Sequence, residues 1–147
     1  MRRLIIAAAL IAISCSTAVA GPREDALQVL DNWTKAFTES DVDGIVKLYA
    51  PDVLFFGTRS KALVNPPAGI RKYFERALLS RRPRGAKLDD RSIMVISDTV
   101  VVVSGIDTLS GVRDGKRYSV NGRVTFVVAK RGPEWQIVQF HRSQLPK

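Results

Sequence analysis

Apolar residues recur at helical spacing through Ala26, Val29, Leu30, Trp33 and Phe37, which predicts a long amphipathic helix running to about Glu39. Pro22 suits its first turn, where the missing N–H costs nothing. Ser40 or Asp41 caps a short second helix carrying Val42, Ile45, Val46 and Tyr49, and Pro51 marks its end. Val53-Leu54-Phe55-Phe56-Gly57 then reads as a short buried strand. Pro66 and Pro67 open a third helix, with Ile70, Tyr73, Phe74, Ala77 and Leu78 on its apolar face and Arg71, Lys72, Glu75 and Arg76 elsewhere. The loop from Arg81 to Gly85 ends it, and the period changes from helical to alternating. Ser92–Ile96 and Thr99–Leu109 are β-branched and joined by Ser97-Asp98, a hairpin signal. Asp114-Gly115 is a second tight turn. Tyr118–Lys130 and Trp135–Ser143 are the last two strands, joined by Arg131-Gly132-Pro133.

Helices followed by an antiparallel meander predict an α+β domain, with three N-terminal helices packed on a curved antiparallel sheet. The sheet would bury Trp33, Phe37, Phe74 and the valines. No repeat or linker divides this pattern, so residues 21–147 read as one domain. Before it, Arg2-Arg3, the apolar run Leu4–Ile13 and Ala18-Val19-Ala20 form the pattern of a secretory signal peptide. Cleavage after Ala20 leaves 127 of the 147 residues, enough for one real core. The expected location is therefore periplasmic or secreted, with no stable membrane association after cleavage.

Composition narrows the chemistry. Cys15, the single cysteine, leaves with the signal, so neither a disulfide nor thiol chemistry is expected. One histidine excludes a multi-histidine zinc site, and no cofactor is expected. The formal charge of +9 falls to +7 when Arg2 and Arg3 are removed. Much of it lies in Arg71, Lys72, Arg76, Arg81, Arg82, Arg84, Lys87 and Arg91. Such a run can attract nucleic acid or an anionic membrane. The run reads as a solvated helix face and loop, and no nucleic-acid partner is expected.

The order of elements resembles the nuclear-transport-factor-2-like cone, which includes polyketide cyclases, ketosteroid isomerases and SnoaL-like bacterial proteins. A more specific likeness is to the association (hub) domain of calcium/calmodulin-dependent protein kinase II. That domain ends in a strand with the pattern matched here by Trp135, Gln136, Ile137, Val138, Phe140, His141, Arg142, Ser143 and Pro146. Tyr73-Phe74-Glu75, and Arg71 before it, match on the third helix. The resemblance implies a homodimer, with assembly into larger rings open to it, and an arginine-lined pocket for small carboxylates. The arginine of the His-Arg-Ser motif carries over to Arg142. A second family arginine falls where this chain has Ile106 or Asp107. A third falls near Arg123, with Phe126 in the directly aligned place. Kinase activity does not carry over.

Strict alternation puts Arg142 with Val138 and Phe140 on one face of the last strand, and His141 with Trp135, Ile137, Gln139 and Ser143 on the other. Arg142 either holds an anion with its parallel donors or pairs with a buried acid. Arg123 and Thr125 share a face that lines the pocket or faces solvent; Phe140, Trp33 and Phe56 complete the expected lining. An isomerase, cyclase or dehydratase needs a base. Asp107, which interrupts an apolar strand, and His141 are the candidates, with Tyr49 as a hydroxyl donor. Against these roles stand a solvent-facing strand end for Asp107, a hydrogen-bonded structural role for His141 and a core position for Tyr49. The leading expectation is an exported binding and oligomerisation domain with a pocket for a small anion; the alternative is an enzyme using the same pocket.

Overall fold

The computed structural model describes residues 21–64 and 66–146, so the segment read as a secretory signal lies outside the described residues. The elements are α1 (Pro22–Glu39), α2 (Val42–Lys47), β1 (Tyr49–Phe56), α3 (Ala68–Leu78), β2 (Gly85–Ser97), β3 (Val100–Arg113), β4 (Lys116–Arg131) and β5 (Glu134–Gln144). Glu24 and Asp25 in the first turn of α1 meet the positive end of its dipole. Its apolar stripe of Ala26, Val29, Leu30, Trp33, Ala36 and Phe37 is buried. Asp41 caps α2 by accepting from the Gly44 amide at 2.8 Å. Tyr49 belongs to the start of β1 rather than to the helix before it, and Pro51 lies within that strand instead of merely ending a helix. Pro is tolerated there because β1 is an edge strand.

The sheet order is β1-β5-β4-β3-β2. Strands β2 to β5 form the expected antiparallel meander. The departure is β1, which pairs parallel to β5 and makes the sheet mixed. A parallel neighbour needs a long crossover, supplied here by α3 and the whole meander between the two strands.

The helices cover one face of this sheet. Phe55, Phe74, Phe126, Leu30 and Ile137 are fully buried between the layers. Trp33 stacks on Phe37 at 5.2 Å and meets the edge of Phe126 at 5.5 Å. The other face of the sheet exposes Leu54, Phe56 and Met94.

The closing strand does not alternate strictly. Val127 pairs with Gln139 while the next residue, Val128, pairs with Ile137, which leaves Val138 as an extra residue in β5. This bulge changes the strand's phase. Ile137 is buried on the helix side together with Phe140 and Arg142, and Trp135 packs against the same core. Simple parity, which grouped Trp135 and Ile137 with His141, fails at that one residue.

Candidate functional site

At one end of the layered core, side chains from every layer enclose a cavity of about 180 Å³. Trp33 and Phe37 of α1, Phe74 and Ala77 of α3, Leu109 of β3 and Phe140 of β5 make its apolar wall. Thr58, Tyr73, Tyr118 and six arginines (Arg59, Arg76, Arg81, Arg84, Arg113 and Arg142) supply the polar part.

Arg142 is 5 % exposed and forms the deep end of this set. Its Nε donates to both oxygens of Asp107, at 2.9 and 2.7 Å. Nη1 donates to Thr58 Oγ1 at 2.8 Å and Nη2 to the Val120 carbonyl at 3.5 Å. The guanidinium reaches Asp107 by crossing Gly122, the β4 residue opposite Asp107. A Cβ on Gly122 would lie 2.5 Å from Arg142 Cζ, so the ion pair needs that glycine. Asp107 is not a solvent-facing strand end: it is 3 % exposed. Burial raises its pKa, opposed by the hydrogen bond and charge of Arg142 and by a backbone hydrogen bond from Gly122. The second of the two roles open to Arg142, pairing with a buried acid, is therefore realised. Both oxygens of Asp107 are engaged, which leaves it poorly placed as a free base.

The other candidates separate by face. Phe140 and Trp33 line the cavity. His141 is exposed on the outer face, opposite Thr125 on β4 and beside Phe56, whose ring centroid is 6.1 Å away. Arg123 pairs with Ser143 on that same face and donates to the Gln144 carbonyl at 3.4 Å. Thr125 shares a hydrogen bond with Ser104 at 2.8 Å. The placing of Arg123, Thr125 and Phe56 in the pocket is corrected accordingly: strand phase carries them to the opposite side of the sheet. Tyr49 lies in the core, where its hydroxyl accepts from Trp33 Nε1 at 2.7 Å. Burial pushes its pKa well above the usual phenol value, so it stays protonated there.

Sequence reasoning missed most of the arginines. Arg76, Arg81 and Arg84 read as a solvated face and loop, yet they line the cavity. The loop after α3 is tied to the end of β3 by the Val112 amide, which donates to the Arg81 carbonyl at 3.3 Å. Arg84 lies over Phe37, 4.9 Å from the ring centroid, and its Nη1 donates to the Tyr118 hydroxyl. Arg113 lies 5.2 Å from the centroid of Tyr118. Burial pulls the Arg84 pKa below the usual guanidinium value, partly offset by Tyr118. Tyr73 is also shifted upward by burial, and backbone hydrogen bonds from Arg59 and Thr58 hold it. The legible signal was the aromatic Tyr118 directly after Lys116-Arg117, beyond the Asp114-Gly115 turn; what it faced was not legible.

Residues 22–146 match the family model of the calcium/calmodulin dependent protein kinase II association domain. No curated protein matches the chain. Among solved structures, the chain is similar to one assigned as such an association domain from Xanthomonas campestris, with 27% identity and a TM-score of 0.78 over 84% of this chain and 88% of that one. It is also similar to the S. rosetta CaMKII hub, at 23% identity and TM-score 0.74, over 87% of this chain and 100% of the hub. A nuclear transport factor 2-like superfamily protein of Salmonella enterica aligns with TM-score 0.75 at 19% identity, covering 86% and 92% of the two chains, which speaks to the fold. With helices on one face of a five-stranded sheet and the matched model spanning both the third helix and the closing strand, the chain belongs to the calcium/calmodulin-dependent protein kinase II association-domain family, on a nuclear-transport-factor-2-like fold.

Proposed function

We propose that this chain is an exported self-association domain whose cavity binds a small anionic molecule. The observation that carries the ligand reading is the charge imbalance of the cavity. Six guanidinium groups line it, and among the described residues Arg142 alone of the six has a carboxylate within ion-pair distance. Like charges gathered around an apolar wall are costly unless a counter-charge arrives. The volume suits a small ring: engineered cavities of roughly 150 Å³ hold benzene. A panel of small aliphatic and aromatic carboxylates and phosphate monoesters should raise the melting temperature of the purified domain in low salt. No shift across the panel overturns the ligand reading.

Self-association rests on family membership and on the outer face of the sheet, where Leu54 is 54%, Phe56 41% and Met94 62% exposed. A second copy is the occupant that family membership favours for this apolar face. Light scattering should give at least a dimer for the mature chain, and Phe56→Asp should shift it to monomer without loss of helix or sheet signal. A wild-type monomer at micromolar concentration removes this part of the reading. Export rests on the N-terminal Arg2-Arg3 and apolar run, and an intact mass beginning at Gly21 is its test.

A further inference from the structure

The charges of the cavity are segregated by depth. At the deep end, Arg142 is neutralised by Asp107, two opposite charges at 2.7 Å with side-chain exposures of 5% and 4%. That pair presents no net charge to a ligand. The unneutralised guanidinium groups lie toward the opening: Arg59, Arg76 and Arg113 are exposed, and Arg81 and Arg84 half-buried. Arg81 and Arg84 lie close enough for their charges to repel. The packing at Arg84 is tight: a Cβ on Gly111 would stand 3.0 Å from Arg84 Nη1, from the Tyr118 hydroxyl and from the Arg81 backbone carbonyl. Arg84 and Arg113 both approach the Tyr118 ring, which orients them without cancelling their charge. Arg84 Nε is buried and has no hydrogen-bond partner among the described residues. Behind this rim the wall is aromatic.

We infer that the anionic head of the ligand is held at the mouth by Arg81, Arg84 and Arg113, while its apolar ring points inward against Trp33 and Phe140. The orientation is the reverse of one in which Arg142 grips the anion. Several guanidinium groups with no carboxylate partner along one rim favour a head with two negative charges, so the ligand class is a small aryl dianion such as a phosphate monoester. Arg142 keeps N–H groups beyond those used by Asp107, Thr58 and Val120, and these suit a neutral acceptor on the ring rather than a charge. The inference rests on the cavity being a binding site and adds the direction and charge of what enters it.

The test is calorimetric titration of the full mature chain with phenyl phosphate, benzoate, benzyl alcohol and inorganic phosphate. Phenyl phosphate should bind about tenfold or more tightly than benzoate, and more tightly than inorganic phosphate, because charge-assisted bonds and ring burial are then both made. The Arg81→Gln/Arg113→Gln variant alters half-buried and exposed side chains, so it should fold as the parent does. It should lose phenyl phosphate affinity by about tenfold or more, charge-assisted contacts being the stronger ones, and leave benzyl alcohol unaffected. The neutral pair Asp107→Asn/Arg142→Gln should keep the preference for phenyl phosphate. Benzoate binding as tightly as phenyl phosphate overturns the inference, and so does binding indifferent to Arg81 and Arg113. Either result leaves the cavity a ligand site. Silence from all four probes overturns both readings.

Discussion

Arg142→Ala destabilises the domain by about 3–5 kcal/mol at neutral pH, the cost of breaking a buried ion pair by removing one partner. The cause is the carboxylate left behind. Asp107 is buried, and without the Nε donor that engages both its oxygens it keeps little beyond the backbone hydrogen bond from Gly122. Urea denaturation measures the loss. Replacing both partners with apolar residues of similar volume, as in Asp107→Leu/Arg142→Met, should cost less than the single change, because no unpaired charge remains. The deficit of Arg142→Ala is also pH-dependent. Burial already raises the Asp107 pKa above its ordinary 3.8, and Arg142 pulls it down; without Arg142 the native pKa climbs further. The folded variant then holds a proton that the unfolded chain has released, so stability falls as pH rises through that window. The deficit is full above the raised native pKa and shrinks as the pH is lowered toward 3.8. A loss below about 1 kcal/mol at neutral pH, the scale of an exposed pair, would show that the pair does not behave as a buried one.

Phe140→Ala costs about 3–5 kcal/mol, the range for removing a buried phenylalanine ring. Phe140 is 2% exposed and stacks on Phe55 at 4.9 Å, with Phe126 at 5.1 Å, Trp33 at 6.0 Å and Tyr49 at 6.1 Å. One truncation therefore strips contacts from helix and sheet together, and the surrounding rings cannot all move to fill the void. It also enlarges the ligand cavity, since Phe140 forms part of its wall. Benzene added to the variant should recover part of the loss, as a dry apolar cavity accepts such a guest. Phe140→Leu, which keeps most of the volume, should lose much less. The midpoint in urea should fall with an unchanged slope, and a loss under about 1.5 kcal/mol would mean that the site collapses around the missing ring.

Much of the fold was legible because periodicity is a local property. Trp33 and Phe37 sit one helical turn apart and share a face whatever lies opposite them, and the Asp114-Gly115 turn ends one strand and starts the next. The terminal motif was legible as a family signature for a related reason: its residues are contiguous. The candidate site was legible only in part. Arg142, Phe140 and Trp33 were named and do line the cavity. Arg123, Thr125 and Phe56 were named and lie on the other face of the sheet, since strand phase relative to the core depends on register across strands.

The sequence alone determined most of the elements and their order, which follow from spacing along the chain, and pointed to the family through the resemblance of its closing-strand motif. Tertiary structure decided what the polar residues do. Asp107 meets Arg142 across 35 residues, through a gap left by Gly122 on the strand between them. Arg59, Arg76, Arg81, Arg84 and Arg113 come from loops, a helix and a strand end that share a neighbourhood only once the sheet has closed over α1 and α3. His141 faces outward while its neighbours on both sides, Phe140 and Arg142, are buried. Whether a charge is neutralised, and which face it occupies, depends on strand register and packing between distant segments.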